Sequence, residues 1–419
     1  MRISFLVTTC NIAPYVGRCL DSVAACARAG DEIVVIDDGS IDGTAERVLG
    51  FGARLAADHG DSVGYAPVCL GTNTPGGVGI PANLALARAT GEAVFFVDGD
   101  DWLDAAGFAA ARARFEAGSD EVLIANYLEY DEAAGSTRSP ADRARWAGLA
   151  TANSAEARRL LALSMIAVPW RKFYRRSLLE RHAIRFPEGD FFYEDNPFHW
   201  QVCLKAESIG FHDRVLCYHR VNRPGQTMMA QGAELAAFFT HYRSIRALLP
   251  AEADTQAPAL AGAAMRWLLA NMAWHLRRLR PSAFWDYAAA AQPVLQGCDA
   301  ALWEAEVAPA FAGSPVGRAA EQLRSLPLAS VVALWLAERQ AAETEALRCR
   351  LDRALDILEG LEADRATLTS AAAQVSALAA LEEFRALAAL SAAPPPSPQR
   401  GGGAQATETP PAPPRPGPE

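Results

Sequence analysis

Nowhere in the 419 residues do about 18 apolar residues run uninterrupted, which argues against a membrane-spanning helix. Positive charge is in deficit: 39 Lys and Arg against 49 Asp and Glu give a formal net charge of -10 and a pI near 5.3. That balance argues against generic nucleic-acid binding, because phosphate backbones are held by clustered basic side chains. Any anionic ligand must be met locally. The eight cysteines form no C-x-x-C pair and no zinc-like spacing with histidines, so most read as reduced core thiols of a cytosolic protein. The opening Met1-Arg2-Ile3-Ser4-Phe5-Leu6-Val7-Thr8-Thr9-Cys10 has too short an apolar run for a signal peptide and reads as a first strand. A cytoplasmic protein, soluble or at the inner face of a membrane, is expected. What is present is a hydrophobic content of 51% in a chain long enough for two or three domains.

Residues 3–10 read as a buried strand, Tyr15 to Ala29 as a helix with Val16, Leu20, Val23 and Ala27 on one face, and Glu32-Ile33-Val34-Val35-Ile36 as a second buried strand. Strand, helix and strand at this spacing make a βαβ unit, hence a parallel sheet with ligands at the carboxyl ends of its strands. Two acidic clusters sit at such ends, Asp37-Asp38-Gly39-Ser40 and Asp98-Gly99-Asp100-Asp101. A Gly/Pro-rich loop over 71–81 leads to a helical run from Ala82 to Ala89, then to a strand over 93–97 and another over 121–127. The polar stretch from about 131 to 150 reads as a surface insertion.

From about 230 the chain turns Ala/Leu/Arg-rich with little strand signal, a helical region. Its segment from Met265 to Arg280 combines Trp, Leu and Arg in a way that suits either a membrane surface or, with more weight, a domain helix with a buried Trp face. Between about 344 and 392, Leu351, Leu358 and Ala372 at a with Ala354, Leu361, Leu368 and Val375 at d give an imperfect heptad register broken by Arg365. A homodimer through a short coiled coil and a long helix packed on its own domain are both compatible with it. The Pro/Gly-rich tail over 393–419 cannot bury a core and is expected to be disordered. The expected division is 1–229, 230–343, 344–392 and the tail.

Three carboxylates within four positions, as at Asp98, Asp100 and Asp101, call for a cation: like charges about 4 Å apart repel by roughly 4 kcal/mol at an effective dielectric of 20. A hard divalent metal suits carboxylate oxygens and leaves sites for substrate phosphates. Asp98 and Asp100 are the better candidates, with Gly99 between them allowing close backbone approach. D-x-D alone is a common tripeptide, and Asp101 or Asp104 would equally serve as a helix cap.

The chain up to about residue 230 resembles the family 2 glycosyltransferases of GT-A fold, inverting enzymes that use nucleotide-activated sugars. The matching residues are Phe5 to Asn11 with Tyr15-Val16 and Cys19-Leu20-Asp21-Ser22-Val23; Glu32 to Thr44; Gly76-Gly77-Val78-Gly79 with Asn83; and Ala89-Thr90-Gly91-Glu92 with Val97 to Asp101. In the acceptor half, Lys172 to Leu179, Phe186-Pro187-Glu188-Gly189 and Tyr193-Glu194-Asp195-Asn196-Pro197-Phe198 follow in the order of polysaccharide-synthesising members. The resemblance implies a mostly parallel, Rossmann-like α/β sheet flanked by helices, followed by an α-helical C-terminal region.

It also implies roles. Asp195 becomes the general base that takes a proton from an acceptor hydroxyl. Asp38 or its neighbour Asp37 would meet the nucleotide base, Asp98 would sit near ribose, and Asp100 would hold Mn²⁺ or Mg²⁺ across the diphosphate. Asn11 and Asn83 fall on the nucleotide-sugar side. Tyr218 to Thr227 resembles the segment that closes over the diphosphate, with Arg220 and Arg223 as phosphate clamps or surface ion pairs. His219 is a further metal ligand or, with more weight, a core histidine. Two departures bear on nucleotide preference: Thr8-Thr9-Cys10-Asn11 replaces the frequent Pro-Thr/Ser-Tyr-Asn, and Ala82 stands before Asn83 where Arg is frequent.

The expected activity is therefore metal-dependent, inverting transfer from a UDP-linked sugar to a hydroxyl of a glycan or lipid-linked acceptor in cell-surface polysaccharide synthesis. Peripheral membrane contact through the helical region is compatible with it. A sugar nucleotidyltransferase is disfavoured, since Asn11-Ile12-Ala13-Pro14-Tyr15 lacks a glycine-rich basic loop. The other alternative is a degenerate module serving as an assembly scaffold.

Overall fold

The computed structural model describes residues 1–189, 192–223, 231–250 and 256–391. The tail over 393–419 and residues 224–227 of the closing segment lie outside them.

Among the described residues nine strands form one mixed sheet: β1 (Ile3–Thr9), β2 (Glu32–Asp37), β3 (Gly64–Cys69), β4 (Ala93–Asp98), β5 (Trp102–Leu103), β6 (Val122–Asp131), β7 (Ser136–Arg138), β8 (Lys172–Arg175) and β9 (Ile209–Val221). The order is β3-β2-β1-β4-β8-β6-β9-β5, with β7 beside β6. β3, β2, β1 and β4 are mutually parallel, whereas β8 runs antiparallel to both its neighbours. The near-continuous apolar runs of β1, β2 and β4 fit strands covered on both faces. Along β4, Val94 and Phe96 face one apolar cluster while Phe95 and Val97 face the other. The strand order reverses at β1, where parallel sheets of this kind hold ligands. In register, Thr9 lies beside Asp37 and Thr8 beside Asp98, so both acidic clusters flank one strand end.

The helices are α1 (Ala13–Cys26), α2 (Thr44–His59), α3 (Gly79–Arg88), α4 (Ala105–Ala117), α5 (Ala155–Ser164), α6 (Arg176–Arg181), α7 (Asp195–Lys205), α8 (Ala237–Leu248), α9 (Ala257–Arg278), α10 (Phe284–Gln296), short turns over 300–311, and helices Pro315–Ser325 and Leu328–Ser391. Three features differ from expectation. β3 was hidden by Pro67, which an edge strand with a single neighbour tolerates. α3 begins at Gly79 rather than Ala82, with Pro81 inside its first turn, where a missing N–H costs nothing. The stretch over 131–150 is not wholly superficial: Trp146 and Asp142 are buried, and Asp142 pairs with the fully buried Arg171 at 2.6 Å.

One apolar cluster runs from Leu6, Val34 and Phe96 in the sheet to Leu268, Met272, Tyr287 and Trp335 in the helical region. On α9 the buried face is Met265, Leu268, Leu269, Met272 and His275, while Trp267 packs edge-on against Trp200. The apolar side of this segment therefore faces protein. No described helix is long and apolar enough to cross a membrane. Met1–Arg339 forms one compact unit, and a second begins at Gln340. All eight cysteines are free thiols, and Cys19, Cys26, Cys203 and Cys217 are buried.

Candidate active site

The turn after β4 is shaped by contact with β1. A Cβ on Gly99 would lie 2.6 Å from Thr9 Cγ2 and 2.8 Å from the Thr8 carbonyl oxygen, so glycine lets Asp98 and Asp100 close against the strand. Carboxylate oxygens of Asp98, Asp100 and Asp101 fall within 4.8 Å of one another. Burial, then the charges of Asp101 and Asp100, hold the Asp98 carboxyl well above the usual range.

The positive groups around this cluster come from the end of β9. His219 Nδ1 lies 2.9 Å from Asp101 Oδ2, and the Arg220 amide donates to Asp101 Oδ1 at 2.8 Å. Trp170 stacks on the His219 ring at 4.8 Å. Burial alone would lower the His219 pKa, but Asp101 outweighs it and raises it to about 9. Arg223 Nε pairs with Asp100 Oδ2. Arg220 donates from Nε to the Asp100 carbonyl at 2.9 Å, pairs with Glu132, and lies over the Tyr15 and Trp102 rings at 4.5 and 5.0 Å. Both arginines thus hold the acidic turn and neither is a simple surface ion pair. Among the described residues no hydrogen bond or ion pair reaches the Asp98 carboxylate.

Asp101 is therefore committed to β9 and does not cap a helix. Asp104 takes that place, accepting from the Gly107 amide at 2.7 Å at the start of α4. A metal fits Asp98 and Asp100 best: Asp98 is half-buried among like charges, and Asp100 lies beside it with a carboxylate oxygen within reach of the same ion. His219 fits less well, since its Nδ1 is held by Asp101 and a protonated ring offers no lone pair.

The second cluster is a turn network. Asp37 accepts from Thr9 Oγ1 at 2.8 Å, Ser40 N at 3.0 Å and Ser40 Oγ at 2.6 Å. Asp38 accepts from Thr74 N and Oγ1, both at 2.9 Å, and from Asn73 Nδ2 at 3.2 Å. Asn11, with φ of 50°, accepts from Ile41 N at 2.9 Å. Gly39 is required, with φ of 68° and a virtual Cβ only 2.3 Å from Asn73 N. Asn11, Asp37 and Asp38 thus share the β1/β2 end, while Asn83 stands apart, bridging Phe186 through donors and acceptors at 2.9 Å and donating to Glu188 at 2.8 Å.

Asp195 opens α7. Its carboxylate accepts from Asn196 Nδ2 at 2.9 Å. Burial pushes its pKa up to about 6 against the lowering pull of Lys172. Its charge also adds to the raising of Asp98, which puts the two carboxylates within electrostatic reach. Lys172 is fully buried, donates to the Ala167 and Val168 carbonyls at 2.9 and 2.6 Å, and is pushed down to about 7 by burial and Arg171. The helical region buttresses the same loop: Trp267 Nε1 donates to Asn196 Oδ1 at 3.2 Å, His241 Nε2 lies 2.7 Å from the Phe192 carbonyl, and Tyr193 packs on Phe238.

Sequence reasoning missed three contributors. Glu194 accepts from the Gly79 amide at 2.8 Å, joining the acceptor-side loop to the Gly-rich loop. Glu132 and Trp170 meet their partners 88 and 49 positions away, and no local pattern marks either.

The sequence model of the family Glycosyl transferase family 2 matches residues 4–183, which carry β1 to β4, both acidic clusters and Lys172. Those residues are a family 2 glycosyltransferase domain. The chain is 24% identical over 251 residues to EpsJ of Bacillus subtilis (strain 168), an uncharacterized glycosyltransferase, covering 57% of this chain and 70% of EpsJ. It is 28% identical over 247 residues to the poly(ribitol-phosphate) beta-N-acetylglucosaminyltransferase TarS of Staphylococcus aureus (strain Mu50 / ATCC 700699), covering 58% of this chain but 40% of TarS. The crystal structure of S. aureus TarS 1-349 in complex with UDP-GlcNAc superposes with a TM-score of 0.60 at 21% identity, covering 81% of this chain and 92% of that one. The family 2 domain accordingly has a GT-A-type mixed sheet flanked by helices, and the helical region beyond it is shared with that fold.

Proposed function

We propose that this chain is an inverting, metal-dependent glycosyltransferase that moves a sugar from a UDP-linked donor to a hydroxyl of a glycan or lipid-linked acceptor. The observation that carries the reading is the meeting of two halves. The carboxylates of Asp98 and Asp100 stand at the β1/β4 switch point, and Asp195 lies within electrostatic reach of Asp98. UDP-GlcNAc bound to TarS supports a UDP-linked donor, and the poly(ribitol-phosphate) in the name of TarS supports a polymer hydroxyl as acceptor.

Asp98 and Asp100 would hold Mn²⁺ or Mg²⁺. When bound, the metal supplies Lewis-acid stabilisation of the leaving diphosphate. Asp195 takes the proton of the acceptor hydroxyl as its oxygen attacks the anomeric carbon, while the bond from that carbon to the diphosphate breaks. A pKa of about 6 makes Asp195 a stronger base than an ordinary aspartate, still ionised at neutral pH. Lys172 favours that ionised form. Glu194 and the Gly-rich loop fix where Asp195 stands relative to the donor side, because a misplacement of about 1 Å can cost about 100-fold. Arg220 and Arg223 support the acidic turn and would meet the diphosphate of a bound donor. Asp37, Asp38 and Asn11 shape the nucleoside end through their turn network.

The reading is tested by incubating the full chain with UDP-, GDP- and dTDP-linked sugars with Mn²⁺ or chelator. Release of nucleoside diphosphate from one donor, only with metal, is expected; no donor consumed under any condition contradicts it.

A further inference from the structure

The helix Leu328–Ser391 begins inside the first compact unit, where Val331 and Trp335 are buried, yet every residue from 340 to 389 is exposed. Leu347, Leu351, Leu355, Ile357, Leu358 and Leu361 are 48–61% exposed. Such a length of apolar side chain on one helix needs a cover.

In the heptad register with Leu351 and Leu358 at a and Leu347, Ala354 and Leu361 at d, the flanking positions carry the decisive pattern. The e positions are Arg348, Leu355 and Glu362, and the g positions Arg350, Ile357 and Asp364. Basic residues come first, apolar ones in the middle, acidic ones last. We propose that this segment pairs antiparallel with the same segment of a second copy of the chain, about a two-fold axis passing at Asp356.

In an antiparallel pair e faces e and g faces g. With Leu351 set opposite Leu361, the e–e contact puts Arg348 against Glu362 and the g–g contact puts Arg350 against Asp364, each twice, four opposite-charge pairs in all. Leu355 and Ile357, apolar where flanks are normally polar, each meet their own counterpart on the axis. The core pairs are Leu351 with Leu361 and Ala354 with Leu358, and Arg365 falls at the end of the overlap opposite Leu347, one turn from Glu343. A parallel, in-register pair matches less: Ile357 would face Glu362, Arg350 Leu355 and Asp364 Thr369, leaving Glu343 with Arg348, made twice, as its opposite-charge contacts. An isologous contact of this kind closes at two copies and goes no further. The overlap from 343 to 369 spans roughly 40 Å, more than three heptads, which suffices for a two-stranded contact.

Sedimentation equilibrium of the full chain at about 20 μM tests it. The native chain should show twice its 44.8 kDa mass. Arg348→Glu with Arg350→Glu should weaken association by about 100-fold, since four attractive pairs become repulsive. Adding Glu362→Arg and Asp364→Arg should restore the dimer, with thermal unfolding of the first unit unchanged throughout. A monomeric native chain, a mass of three or more copies, or a fourfold variant that fails to recover would each overturn the proposal; a native monomer that binds anionic vesicles instead would assign the apolar face to a membrane.

Discussion

Glu194 accepts a hydrogen bond of 2.8 Å from the amide of Gly79 across 115 residues of sequence. That bond places the first turn of α3, at the end of the Gly-rich loop, next to the residue preceding the candidate base. Replacing Glu194 with Ala leaves the Gly79 amide without this partner, at a cost of about 1–3 kcal/mol. The urea midpoint should fall accordingly, and kcat should fall by about 10-fold or more as Asp195 loses its register. Retention of full kcat would separate the bond from catalysis.

The pH profile follows from Asp195. Burial raises its pKa to about 6, and the ionised form is the base. kcat/KM should therefore rise with pH through about 6 and level off above 7, and Asp195→Glu should move the midpoint. A profile flat between pH 5 and 8 would contradict the assignment.

The same shift sets a stability effect of opposite sign to that of a paired carboxylate. A group whose folded pKa of about 6 exceeds its ordinary 3.8 holds its proton more tightly in the native state. Its contribution is favourable below 3.8 and is lost as pH rises through about 6. Above that pH the native state carries the cost of a buried charge. Discounted for partial exposure, Asp195→Asn should stabilise the protein by about 1–2 kcal/mol at pH 8 and by nearly nothing at pH 3, as read by chemical denaturation at both values.

How much of this was legible beforehand depended on whether the signal was local. β1, β2 and β4 announce themselves as apolar runs ending in acid, and the order of motifs led to the fold. Pro67 hid an edge strand, and Pro81 hid the first turn of α3. Composition told that carboxylates at 98–101 need a cation, but not that Asp101 already has one in His219, 118 positions away. Asp104, not Asp101, proved to be the cap, a choice that needs the path of the turn.

The acidic residues at 98–101 should therefore respond differently. Asp101→Asn weakens the anchoring of β9 and should lower the melting temperature, with loss of charge-assisted bonds worth about 1.5–3 kcal/mol. Asp100→Asn, which loses the single pair with Arg223, should lower the melting temperature less than Asp101→Asn and abolish the metal dependence of nucleotide binding, measured by titration calorimetry with and without Mn²⁺. Equal destabilisation of the two variants would contradict the division of labour.

Removing residues 340–419 takes away the second compact unit only. Consumption of the nucleotide-sugar donor should persist within about twofold, measured as released nucleoside diphosphate. Complete loss would favour a role for that segment in the reaction itself.

The most direct measurement is donor binding and turnover by Asp195→Asn beside the native chain, with the same nucleotide sugar and Mn²⁺. The account predicts equal Kd for the donor and a kcat at least about 100-fold lower in the variant, because the carboxylate acts on the acceptor proton and not on the donor. Undiminished transfer by Asp195→Asn would remove Asp195 from the chemistry and contradict the account.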